Sequence, residues 1–197
     1  MTLQNWHQYV HTTTGQIIQT LQQDWQNLTN EQWQQPPAVQ SWSMAECLEH
    51  LNIYARFYHA EIERVLAQAP VAYQKPIEQV HSSWLGRLSI NTVKLDEAGI
   101  PIKKARTLKK FEPIISLHSP QHIYQEFLQH QHTLIQLIAQ AKHVHLNKLK
   151  TRTSLHPLIK LRLGDCIHFV VAHNQRHMAQ AQRVATTCGF TTAASAD

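Results

Sequence analysis

Two imidazoles one helical turn apart can chelate a single metal ion, and this sequence offers three pairs at H-x3-H spacing. His118 and His122 flank Pro120, so they straddle a helix start and cannot share a helical face. His7 and His11 could share a first helix, but His11 falls at the edge of its apolar stripe, and the threonines Thr12 to Thr14 that follow weaken the geometry. His173 and His177, in VVAHNQRHMAQAQRV, lie mid-helix. At ~100° per residue they share an arc with Cys166, Phe169, Val170, Ala181 and Val184, while Gln175, Arg176, Gln182 and Arg183 face the other way. Imidazoles directed into an apolar core need partners. Those partners are either a metal ion or the backbone and polar side chains of a neighbouring helix.

A third ligand must come from another helix. His50 sits at the edge of an apolar arc beside Tyr54, Phe57 and Glu61, away from the polar face of Glu49, Asn52, Arg56 and Glu63. A lone histidine there also fits a core residue with one satisfied nitrogen. His130, between Phe127 and Leu134, is the rival. Asp165 reads as a cap or surface group, and a capping role accounts for Glu46. Tyr54, Glu61 and Gln180 are candidates to support the ligands or to touch a substrate. Cys47 and Cys166 fall on inward arcs, where free cysteine behaves as a small hydrophobe. With no CxxC in the chain, no nucleophile is assigned.

The elements that must position these residues are helical. Helical periodicity dominates, the strand signal is weak, and five glycines leave no phosphate-binding GxGxxG or GxxxxGK[ST] loop. A first helix is expected from Leu3 to Asn30, closed by Pro36 and Pro37. Ser43 and Glu46 form an S-x-x-E capping box for a second helix, which runs to Gln68 before Pro70, with Trp42 placed to staple onto Cys47. Residues 71–118 read as irregular, with a short helix around Ile77 to Leu88. Ser119 and Pro120 start a third long helix ending near Lys142. A connection follows, and a fourth helix from Gly164 to Thr187 closes at Gly189. The pattern is an all-α four-helix bundle with long crossover connections, expected as one domain over residues 1–197. Its core spans about residues 3–188, and its tail, 189–197, is expected to be disordered.

Composition narrows the setting. No apolar run reaches the ~18 residues of a membrane span, so no membrane partner is expected. The opening residues carry neither the basic nor the apolar region of a secretory leader, and Cys47, Cys166 and Cys188 are too few for a disulfide framework. A cytoplasmic location follows as the expectation. Residues 103–162 hold 11 Lys and Arg against 2 Asp and Glu, a net of +9, whereas the rest of the chain carries −4. The basic residues lie in connections rather than on a recognition helix, so a solvated face is expected and nucleic acid is not; an anionic small-molecule substrate is the next choice. A homodimer is compatible with the sequence.

Two stretches resemble a known family. SWSMAECLEHLNIYARFYHAEIERVL, from Ser41 to Leu66, and LHPLIKLRLGDCIHFVVAHNQRHMAQAQR, from Leu155 to Arg183, are similar to the paired hallmarks of the DinB/YfiT-like metal-dependent hydrolase superfamily, with a DinB_2-type domain. One departure is the HPLIKLRLG stretch, where the family often has glycine soon after His-Pro. The resemblance implies a four-helix bundle in which His50, His173 and His177 bind one divalent metal, zinc or nickel. It also implies a small-molecule substrate, with small-thiol-dependent transfer, a low-molecular-weight thiol as cosubstrate, or hydrolysis as the reaction. The alternative is a non-catalytic metal- or ligand-binding stress-response protein.

Overall fold

The computed structural model describes residues 1–190 except 104–106, 116–117 and 157. In chain order the helices are α1 (Leu3–Thr20), α2 (Asn30–Gln34), α3 (Met44–Ala67), α4 (Trp84–Val93), α5 (Pro120–Ala141) and α6 (Leu163–Thr187), with β1 (Lys150–Arg152) and β2 (Lys160–Arg162) between the last two. The long helices α1, α3, α5 and α6 form the bundle. α1 packs on α5 and α6, and α3 packs on the same two, so α1 and α3 lie on one diagonal and α5 and α6 on the other. Diagonal partners cannot be joined by tight turns, which is why the connections after α1 and α5 are long.

Local chemistry fixes the ends. The Ser43 hydroxyl accepts from Glu46 N–H at 3.2 Å while the Glu46 carboxylate accepts from Ser43 N–H at 2.8 Å, closing the expected capping box. Ser119 caps α5 with Pro120 in its first turn. α6 ends as expected at Gly189, whose φ of 71° lets Phe190 N–H reach Ala185 O at 2.9 Å in a Schellman closure.

Four expectations are corrected. α1 does not run unbroken to Asn30: it widens to a π-helical turn over Leu21–Trp25, and a second capping box, Thr29 with Gln32, starts α2. The short helix sits at Trp84–Val93 rather than Ile77 to Leu88, because Ser83 is its N-cap. The connection before α6 contains the antiparallel β1–β2 hairpin, with Thr151 facing Leu161. Glu49 and Asn52 do not face solvent; they are buried against α5, where Asn52 donates to Ile123 O at 3.0 Å. No described helix is long and apolar enough to cross a membrane. Of the expected tail, residues 191–197 lie outside the described residues, and Phe190 packs on the core.

The core is divided in two. One apolar cluster gathers Trp6, Val10, Tyr58, Ile62, Leu134 and Val170. The other gathers Trp25, Trp33, Leu48, Leu51, Phe127 and Ala181. Between them each bundle helix contributes buried polar side chains: Thr13 and Thr14 from α1, Asn52 from α3, Gln131 from α5, and His173, Asn174 and His177 from α6. Asn174 donates to Gln131 at 3.0 Å, joining α6 to α5 across this layer, while the Thr14 hydroxyl is satisfied within its own helix by Val10 O at 2.7 Å. The bundle therefore has a polar waist, and the α3–α6 groove crosses it.

Candidate metal centre

At that crossing the sequence-predicted histidines meet. His50 from α3 and His173 and His177 from α6 each offer a ring nitrogen, and these atoms all lie within 4.8 Å of one another. His50 Nε2 is 3.3 Å from His173 Nε2. Two imidazole nitrogens on a tetrahedral ion at the usual ~2.05 Å stand roughly 3.3 Å apart, so the spacing fits a shared cation. All three rings are buried.

Hydrogen bonds at the far side of two rings set which nitrogen carries the proton. His50 Nδ1 lies 2.8 Å from Phe111 O, which can only accept, so Nδ1 donates and Nε2 keeps its lone pair. His177 Nδ1 likewise donates to Gln180 Oε1 at 2.9 Å. The Phe111 carbonyl is held by its own side chain, whose ring packs 4.6 Å from that of Tyr54. This support of ligand histidines from behind is what metal sites require.

The rings are also held neutral. Burial pushes His173 well below its ordinary value, with His177 and His50 adding to the effect. His177 is pushed down to about 3, first by burial and then by His50. Burial lowers His50 too, against the opposing pull of the Phe111 carbonyl. Neutral imidazoles with converging lone pairs in a site unable to hold protons form a donor set suited to a divalent cation.

The other candidates fall elsewhere. Tyr54 lies against the site, its ring 4.4 Å from that of His173, and burial raises its phenol pKa. Glu61 is turned to Arg64 and to Arg152 on the hairpin, accepting from Arg152 N–H at 2.9 Å. His130 lies 3.4 Å from Glu126, its ring 5.2 Å from that of His59, not among the three. The His7–His11 and His118–His122 rings approach to 5.5 and 4.9 Å, but among the described residues neither pair gains a third ligand. Asp165 is buried rather than at the surface, accepting from Ser83 N–H and hydroxyl at 3.0 and 2.8 Å. Burial pushes the Cys47 and Cys166 thiols up, Cys166 to about 12. Several cations of the +9 segment are structural: Lys110 donates to Ser154 O, Arg162 to His81 O, and Arg152 pairs with Glu61.

The histidines open onto a cleft of 1340 Å³. Trp42, expected as a helix staple, walls it, with its ring 5.0 Å from His50 and 5.8 Å from His177. Arg176 and Arg183, which helical geometry turns away from the histidines, reach the cleft on their long side chains. Three nitrogen donors facing an open cleft would leave coordination positions on a bound cation free for water or substrate.

A search of curated protein sequences finds no match. Among solved structures the chain resembles YfiT from Bacillus subtilis, described as a probable metal-dependent hydrolase with an unusual four-helix bundle topology. The TM-score is 0.54 at 12% identity, covering 96% of this chain and 89% of that one, a likeness of fold. A sequence profile of the DinB superfamily matches residues 13–181, which include all three histidines, the whole of α3 and α6 as far as Ala181. The chain belongs to the DinB superfamily.

Proposed function

We propose that this protein is a metal-dependent hydrolase whose divalent cation is held by His50, His173 and His177. The observation that carries the reading is the convergence of three neutral, buried imidazoles on one point at the floor of an open cleft. When bound, such a cation supplies Lewis acidity and water that ionises near neutral pH. Zinc and nickel both suit an all-imidazole set. Phe111 O and Gln180 hold His50 and His177 in the ligating tautomer. The Tyr54 phenol, kept protonated by burial, is a hydrogen-bond donor available to the substrate. Glu61 secures the hairpin and leaves the chemistry to the histidines.

The family resemblance adds a finer reading, in which a small thiol takes the open position and is transferred. The three cysteines are free thiols, which suits the reducing, cytoplasmic setting such a cosubstrate needs.

Metal analysis of untagged protein tests the site. His50→Ala, His173→Ala and His177→Ala each lose most of the metal, whereas His118→Ala and His143→Ala retain it; equal retention in all five overturns the triad. In cobalt-substituted protein, azide or a small thiol shifts the visible spectrum when a position is open. A spectrum unmoved by either identifies a closed site and favours a non-catalytic binding protein.

A further inference from the structure

The cleft has two unlike halves. α6 runs along it, contributing Phe169, His173, Arg176, His177, Gln180 and Arg183 in turn, so the histidines lie near its middle. Around Phe169 the walls are apolar, with Leu88 from α4 and Leu155, Ile159 and Leu161 from the hairpin. Leu88 and Leu155 are 45% and 57% exposed, although both border a cleft that could accept them as a wall for an apolar ligand. Tyr58 ties this half together, packing on Phe169 at 5.8 Å and hydrogen-bonding Ser154 at 3.1 Å.

The other half is cationic. Arg176 donates to Thr92 O and Lys103 O, and Arg183 to Gly99 O at 2.9 Å. Those carbonyls aim the guanidinium groups without neutralising them. Among the described residues neither has a carboxylate within salt-bridge reach, in contrast to Arg56, Arg64 and Arg152, which are all paired. Lys109 is a further cation of the cleft lining, and among the described residues the one acidic member of that lining is the exposed Glu112. The cleft volume exceeds the ~300–1,000 Å³ typical of a drug-sized ligand, so an extended molecule fits.

We propose that the cleft takes an amphipathic anion: a carboxylate or phosphate headgroup on Arg176 and Arg183, and an apolar tail along Phe169, Leu88, Leu155 and Ile159, so that the middle of the molecule crosses the three histidines. This substrate class rests on the hydrolase reading above. Guanidinium forks match either headgroup, and a hydrogen bond between charged groups accounts for about a tenfold change in affinity.

Calorimetric titration tests it with decyl phosphate and decanoate, each below its micelle threshold, against decanol and inorganic phosphate. One-to-one binding of at least one anion, about tenfold tighter than decanol or inorganic phosphate, is expected. Arg183→Gln, an exposed position, weakens the anion about tenfold and leaves decanol unchanged, and Leu155→Ser weakens anion and decanol alike. Arg176→Gln acts as Arg183→Gln does where it folds. Decanol binding as tightly as both anions, unsaturable uptake, or an undiminished affinity in Arg183→Gln overturns the proposal. Metal content and cleavage of a short ester are followed on the same preparations. Loss of amphiphile binding with metal and cleavage intact overturns this inference alone. Arginine-dependent binding without metal or cleavage overturns the hydrolase reading and leaves the binding site standing.

Discussion

Gln180 Oε1 accepts the Nδ1 proton of His177 at 2.9 Å, one turn further along the same helix. The contact has a direct consequence for metal affinity. Gln180→Leu keeps the size and removes the acceptor, freeing the ring to swap tautomer and rotate. Metal affinity is expected to fall about 10- to 100-fold, read by competition with a chromogenic chelator, with the helical circular dichroism unchanged. Wild-type affinity in this variant would show that the glutamine does not orient the ligand.

Glu61 gives a pH signature. Burial pushes its carboxyl up, but hydrogen bonds from Arg64 and Arg152 outweigh that and hold it down at about 2. In the unfolded chain it titrates near 4.5, so between these values the unfolded state binds the extra proton. Its stabilisation is complete above about pH 5 and disappears as the pH falls towards 2. Glu61→Gln should cost about 2 kcal/mol at neutral pH, allowing for its solvent-exposed arginine partners, and the gap to wild type should close on acidification. Urea denaturation at several pH values checks this; a gap independent of pH contradicts it.

His59 works in the opposite sense for the protein. It is buried in the α3–α5 interface with no hydrogen-bond partner at either ring nitrogen among the described residues, and its pKa is pushed down to about 3 by burial and then by His130. Below the unfolded value of 6.5 the unfolded state gains a proton that the folded state refuses, so stability drains away as the pH falls. His59→Leu is expected to stabilise the protein, by about 1–2 kcal/mol more near pH 5 than near pH 7.5. An equal effect at both pH values would contradict it.

Gly86 faces Asp165 so closely that an added Cβ would overlap the carboxylate. Alanine normally stabilises a helix interior by up to ~1 kcal/mol over glycine. Here overpacking against a buried carboxylate that also holds the Ser83 cap outweighs that gain, and Gly86→Ala is expected to cost about 1–3 kcal/mol in thermal or urea unfolding. A stabilised Gly86→Ala would mean the carboxylate can step aside.

The sequence made the long helices and the histidines readable for the same reason: both repeat at the helical period. His173 and His177 stand out because they interrupt an apolar arc, and the Ser43–Glu46 pair marks a start by its own chemistry. Features that depend on distant backbone left no such mark. The Phe111 carbonyl that orients His50 is an acceptor every residue has, so nothing in the sequence singles it out. Strands of three residues, such as Lys150–Arg152, are too short for alternation to register. Glu49 and Asn52 looked solvent-facing, but α3 is buried on two sides: Asn52 finds its partner in the Ile123 carbonyl of α5, and Glu49 pairs with Arg56 on α3 itself. Arg176 and Arg183 show that a backbone arc does not fix where a long side chain ends.

The diagonal arrangement of the bundle also dictates when the site can exist. His50 and His173 are 123 residues apart, on helices that are neighbours in space but not in the chain. Closing a segment of that length costs entropy that only the finished core repays. The three imidazoles therefore come together after the connections have crossed, late in folding. A cation that binds them locks the door behind a completed topology: it should leave the refolding rate untouched and slow unfolding.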